Sequence, residues 1–191
     1  MKRTFFSLAL LLAVATLTAQ TKMTAREAAV KIADRILAST TYEFKNTKTG
    51  EIYKSVKKLP LDMDVKVACK YNNWHYTNGV TNMALMELGD KLGDKKYEKY
   101  VLKNMNFVFN EGNLDFFRKQ YDEAFKRDGW NAVRKLSWHM IFRGKRLDDN
   151  GPMGASLIEL QLKYPNDSFL GYINETAEHL NYGEPRLVDG T

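Results

Sequence analysis

Two short stretches hold the residues whose types and spacing suit chemistry. The first is Trp74-His75-Tyr76-Thr77-Asn78-Gly79-Val80, which packs two large aromatics and several polar groups into a turn that opens a helix. Aromatic faces stack on the apolar faces of sugar rings, and a ring of helical hairpins places its mouth at such turns. The same residues would equally serve as a hydrophobic staple and a helix cap. The second stretch is Arg146-Leu147-Asp148-Asp149-Asn150-Gly151-Pro152-Met153-Gly154-Ala155. Two adjacent carboxylates stand ahead of a helix whose first turn holds Pro152, and Gly154 lets another backbone or a ligand approach. One acid is enough to cap that helix by accepting its unpaired N–H groups. Asn150 is also competent to cap, so one carboxylate is surplus. A surplus acid beside small residues suits proton transfer or the binding of a sugar hydroxyl.

Other chemistries find little support. His75, His139 and His179 are scattered without ligand spacing, so neither a metal nor a cofactor is expected. A serine nucleophile elbow and a glycine-rich phosphate loop are both missing from the sequence. Cys69 is the one cysteine, excludes an intramolecular disulfide, and reads as a small buried hydrophobe. The Asn166 and Asn174 sequons match a pattern short enough to arise by chance.

The elements that must position these residues are helices. Thr24 and Glu27 fit a capping box, and Val30, Ala33, Ile36 and Leu37 then share one face of a helix running to about Ser39. Residues 40–64 turn polar and irregular and read as a long loop, and Val65 to Tyr71 is ambiguous. A second helix opens near Thr77 or Asn78, carries Val80, Met83, Ala84 and Leu88 on one stripe, and stops at Gly89. Further helices are expected from Asp94 to about Val108, Leu114 to Lys126, Trp130 to Phe142, Pro152 to Lys163 and Asp167 to Leu180. The class is all-α. Short Gly- or Asp-marked links imply antiparallel hairpins, and without a fixed-period consensus a closed α/α toroid is favoured over an open solenoid.

The N-terminus reads MKRTFFSLALLLAVATLTAQ: two cations, an apolar run too short to span a bilayer, then small residues. That order predicts a signal peptide over residues 1–20, and hence an exported protein, periplasmic or secreted. No second run of membrane length follows, so the mature chain is expected to be soluble, with no stable membrane insertion. Loss of Lys2 and Arg3 with the leader lowers the formal charge from +6 to +4. So mild a surplus gives no argument for a nucleic-acid partner.

Taken together, Trp74-x-Tyr76-x-x-Gly79-Val80, Leu88-Gly89-Asp90-x-x-Gly93-Asp94-x-x-Tyr97 and Leu147-Asp148-Asp149-x-Gly151-x-Met153-Gly154-Ala155 resemble the unsaturated glucuronyl and rhamnogalacturonyl hydrolases, glycoside hydrolase families 88 and 105. The resemblance covers Tyr71 to Thr191 and is most specific at Asp148 to Gly154. It implies a six-hairpin α/α barrel with the site at one mouth, of which residues 21–191 form an N-terminal portion. The substrate it implies is an oligosaccharide, pectin-derived, ending in a sugar with a carbon 4–carbon 5 double bond. A carboxylic acid protonates carbon 4, positive charge develops at carbon 5 and the ring oxygen, and water adds there. The hemiketal then opens and releases the remaining chain. That chemistry needs an acid kept protonated by burial against aromatics and a cation for the substrate carboxylate. The resemblance gives Asp149 and Asp148 the catalytic positions and sets Tyr76, Trp74, Asn78 and Met153 around the sugar. The family's second key aspartate lies in a later Trp-x-Asp-type segment, and Leu187 to Thr191 looks like the approach to it. The main general acid is therefore expected beyond residue 191. The same chemistry on glycosaminoglycan disaccharides, and a non-catalytic helical carbohydrate-binding or scaffold protein, are the alternatives.

Overall fold

The computed structural model describes residues 23–109, 111–143 and 147–183, with the backbone alone at Glu111, Leu147 and Asp149. The leader, Arg146 and the Leu187–Thr191 segment lie outside these residues. The chain divides into two units, residues 1–34 and 35–191. In the first, Thr24 and Glu27 form the expected capping box. The Thr24 N–H donates to Glu27 Oε2 at 2.8 Å, and the Glu27 N–H donates back to Thr24 Oγ1 at 3.2 Å. This opens α1 (Ala25–Ser39).

Six α-helices carry the described residues, and the fold is mostly helical. The polar stretch after α1 is not a plain loop. It forms a small antiparallel sheet of β1 (Phe44–Asn46), β2 (Ile52–Tyr53) and β3 (Val65–Val67), in the order β2-β1-β3. Strands of two or three residues are too short for alternation to show in sequence. A tight turn joins the first two, where Asn46 Oδ1 accepts from the Lys48 and Thr49 N–H groups and Gly50 adopts φ 77°. Phe44 is 1% exposed and anchors the sheet among Phe107, Phe116 and Phe117.

The helices keep the expected order but not every boundary. The second, α2, spans Tyr76–Leu92. It starts one residue early because His75 Nδ1 caps it, accepting from the Thr77 N–H. It passes through Gly89 and ends at Gly93, whose φ of 67° makes the left-handed stop. The third, α3 (Lys96–Phe109), opens where Asp94 Oδ1 accepts from the Lys96 N–H. The fourth, α4 (Glu111–Val133), is longer than expected and breaks at Asp128 and Gly129, where the backbone leaves helical angles. The expected helix Trp130 to Phe142 is therefore corrected: residues 130–133 form the last turn of α4, and a separate 3-10 turn covers His139–Phe142. Trp138 forces this division with φ 62°. Its N–H donates to Asn73 Oδ1 at 2.8 Å, and its ring is 1% exposed. The last two, α5 (Leu147–Lys163) and α6 (Asp167–Glu178), are separated at Tyr164-Pro165, with Asn166 Oδ1 capping α6.

The main helix pair is α2 on α5. Small residues make it possible: a Cβ on Gly79 would stand 2.5 Å from the Met153 backbone nitrogen. The buried face of α2 is accordingly Asn78, Gly79, Asn82, Leu85, Met86 and Gly89. The expected stripe is corrected, since Val80 and Ala84 face solvent. A second fastening holds the far end of α5. Lys163 Nζ lies 2.6 Å from Glu98 Oε2, and the Tyr164 hydroxyl donates to Glu98 Oε1 at 2.5 Å.

Candidate functional site

Tyr76 and Asp148 line one open cleft of about 370 Å³. Tyr76 reaches it because the His75 cap turns the chain sharply into α2. The His75 and Tyr76 rings meet at a tilt with centroids 4.8 Å apart, and Tyr76 remains 46% exposed. Asp148 reaches it from the first turn of α5 and is exposed. The opposite wall comes from the broken end of α4 and the 3-10 turn: Trp130, Arg134, His139 and Arg143. The Arg143 guanidinium sits 4.0 Å from the centroid of the Trp130 ring, and the His139 ring meets that indole edge-on at 5.7 Å. His139 Nδ1 lies 2.7 Å from the Leu136 carbonyl, which can only accept, so Nδ1 carries a proton.

Three other sequence candidates lie in the core instead. Trp74 is 0% exposed, wedged among Phe109, Trp138 and Tyr172, with Nε1 donating to Asn150 Oδ1 at 2.9 Å. Its ring has no face to offer a sugar. Asn78 spends its amide on the loop ahead of α2, donating to the Lys70 and Asn73 carbonyls at 3.0 and 2.9 Å. Met153 is 1% exposed, at the α2–α5 crossing. All three are corrected from ligand contacts to supports of the cleft. The Asp149 side chain lies outside the described part of the structure, although its backbone belongs to α5. Because α5 starts at Leu147, the two aspartates sit inside its first turn rather than ahead of it. Asn150 is no cap: it is buried and acts as the polar pin between Trp74 and the Arg143 carbonyl.

No family model matches the chain, and no curated protein is detectably similar to it.

The wall formed by Trp130, Arg134, His139 and Arg143 was not expected from sequence. A single helix over residues 130–142 would have spread these side chains around its circumference. The one signal for the real arrangement was Asp128-Gly129, a pair that favours a turn. As built, the cleft offers two cations, two aromatic faces and an exposed carboxylate. It can hold a hydroxylated, negatively charged ring: guanidinium groups for a carboxylate, indole and phenol for the apolar ring face, and Asp148 as a hydroxyl acceptor. Among the described residues no group of His, Cys, Asp and Glu is arranged to hold a metal ion. Among them too, no helix is long and apolar enough to cross a membrane.

Proposed function

We propose that this chain binds the uronic acid end of an acidic oligosaccharide, as the N-terminal portion of an exported α/α-barrel hydrolase acting on unsaturated rhamnogalacturonan fragments. One observation carries the reading. Tyr76 and Asp148, singled out in two separate sequence segments, line a single cleft, and Arg134 and Arg143 line it with them. A uronate needs this combination, because its carboxylate calls for a planar cation while its ring calls for an aromatic face. Tyr76 and Trp130 would flank the ring, Arg134 and Arg143 would hold the carboxylate, and Asp148 would accept from a hydroxyl.

The second reading, a binding protein without turnover, has an observation of its own. Asp148 is exposed, whereas protonation of carbon 4 needs an acid kept neutral by burial. The chain alone is therefore expected to bind the unsaturated sugar without hydrating its double bond.

Calorimetric titration with an unsaturated galacturonyl-rhamnose disaccharide tests the reading. Arg134→Ala and Arg143→Ala should each weaken binding about tenfold, the scale of one charge-assisted contact. The carboxyl-reduced disaccharide should bind the unaltered chain as weakly as those variants bind the acid. Equal affinity for the acid and the reduced sugar would sink the proposal. Loss of the conjugated double bond's ultraviolet absorbance on incubation would show that Asp148 or Asp149 donates the proton after all.

A further inference from the structure

The 3-10 turn His139–Phe142 faces two ways. His139 and Met140 line the cleft just described, while Ile141 and Phe142 line a second cavity of about 380 Å³. We infer that this second cavity, with an aromatic strip running from it along α4, is a further sugar subsite, so that the ligand is an oligosaccharide longer than a disaccharide. The inference rests on the reading of the first cleft as a uronate site.

The cavity has the amphipathic make-up that sugars need. Its apolar floor is Phe109, Leu114, Ile141 and Phe142. Its polar groups are side-chain donors and acceptors rather than a surplus of one charge: Arg118, Glu175 and His179, the Asn150 amide, and the hydroxyls of Ser168 and Thr176. A ligand rich in phosphate would meet Glu175 as a repulsive neighbour, and a plain hydrocarbon would leave Arg118 and Glu175 desolvated without partners. A neutral or singly charged ligand covered in hydroxyls offers each of these groups a partner. Tyr172 borders the same cavity, and burial pushes its phenol well above the usual range, so the hydroxyl keeps its proton across physiological pH.

The strip supplies ring faces beyond the cavity. The Arg118 guanidinium lies 4.8 Å from the Phe142 ring centroid, and Tyr121 meets Phe142 at 5.6 Å. Tyr121 and Phe125 then stack nearly parallel, 6.3 Å apart and 3° between planes, with Phe125 55% exposed. Residues 118, 121 and 125 recur at helical spacing, so α4 presents them as one row. Successive sugars leaving the cavity would meet successive aromatic faces.

The test is titration of the full chain with unsaturated uronyl oligosaccharides of two and of four sugars that share the same terminal residue. The tetrasaccharide should bind about tenfold more tightly, the scale of one or two ring contacts. Phe125→Ala and Arg118→Ala should each abolish that gain and leave disaccharide affinity unchanged. Both side chains are exposed, and circular dichroism checks that the variants stay folded. No gain with length, or a gain that survives in either variant, overturns the subsite. A disaccharide that fails to bind, beside a tetrasaccharide whose binding both variants weaken, would uphold the subsite and remove the first-cleft reading. Failure of both sugars to bind would remove both.

Discussion

Glu98 is only 7% exposed, and both its oxygens are engaged, one by Lys163 and one by Tyr164. The Lys163 hydrogen bond, then that of Tyr164, hold its carboxyl below the ordinary glutamate range despite burial, and the same contact raises Lys163. A carboxyl depressed in the folded state stabilises the fold above its unfolded value, about 4.3, and loses that contribution as the pH falls through the lower folded value. Glu98→Gln keeps the shape and removes the charge. It should cost about 1–2 kcal/mol at pH 7, the scale of a charge-assisted hydrogen bond between a buried carboxylate and a partly exposed lysine. It should also flatten the loss of stability between neutrality and about pH 3, because a neutral amide has nothing to protonate. Urea unfolding of both proteins at pH 7 and about pH 3 reads the difference. A gap as wide at pH 3 as at pH 7 would mean that packing, not charge, holds α5 to α3. The pairing itself was invisible in sequence. Glu98 and Lys163 belong to helices far apart in the chain, and nothing local marks either residue as a partner.

Gly79 and Gly154 are both helical glycines in segments read for chemistry, yet they occupy opposite situations. Beside Gly79 the α5 backbone leaves no room for a Cβ, while around Gly154 a Cβ would meet nothing within 4 Å. Gly79→Ala should therefore destabilise by several kcal/mol, since rigid backbone rather than a side-chain tip must yield. Gly154→Ala should be neutral or gain about 0.5–1 kcal/mol from the lower unfolded-state entropy of alanine. Thermal unfolding of the two variants settles the comparison, and equal effects would contradict the close α2–α5 crossing. These glycines also show what was legible. Helix order, the capping box at Thr24 and the stop at Tyr164-Pro165 could be read directly, because caps and breakers act within a few residues. The face of α2 could not. Apolarity pointed to Val80 and Ala84, but contact with α5 selects the small Gly79, and Asn78 turns inward to bond the Lys70 and Asn73 carbonyls. For the same reason Trp74 read as a sugar platform although it belongs to the core: an aromatic ahead of a helix looks alike in sequence whether its ring turns in or out. Tyr76, two residues on, turns out.

Across residues 35–191 the apolar surface is unevenly covered. Between α5 and α6 runs a groove of about 230 Å³ walled by Gly151, Ala155, Ile158, Ile173, Ala177 and Leu180, almost without polar atoms. Ile158 is 46% exposed, and Leu162, one turn further along the same face, is 76% exposed. Single exposed leucines are ordinary, but an apolar groove walled by Ile158, with Leu162 exposed one turn beyond it, loses free energy to water for every square ångström left open. The formal charge of +6 works against self-association by repulsion, and added salt weakens that opposition. The chain is thus expected to associate reversibly, more so at high concentration and in sulfate, which favours burial of apolar surface. Light scattering across a concentration series should show the apparent mass rising. Ile158→Lys with Leu162→Lys should return it to the monomer value and leave the helical circular dichroism signal unchanged, since neither side chain is buried. Gly151→Leu offers an independent check, because nothing lies within 4 Å of that position and a leucine there would project into open space at the groove. If the chain stays monomeric at every concentration, or if association persists in the double lysine variant, the groove is not what brings copies together.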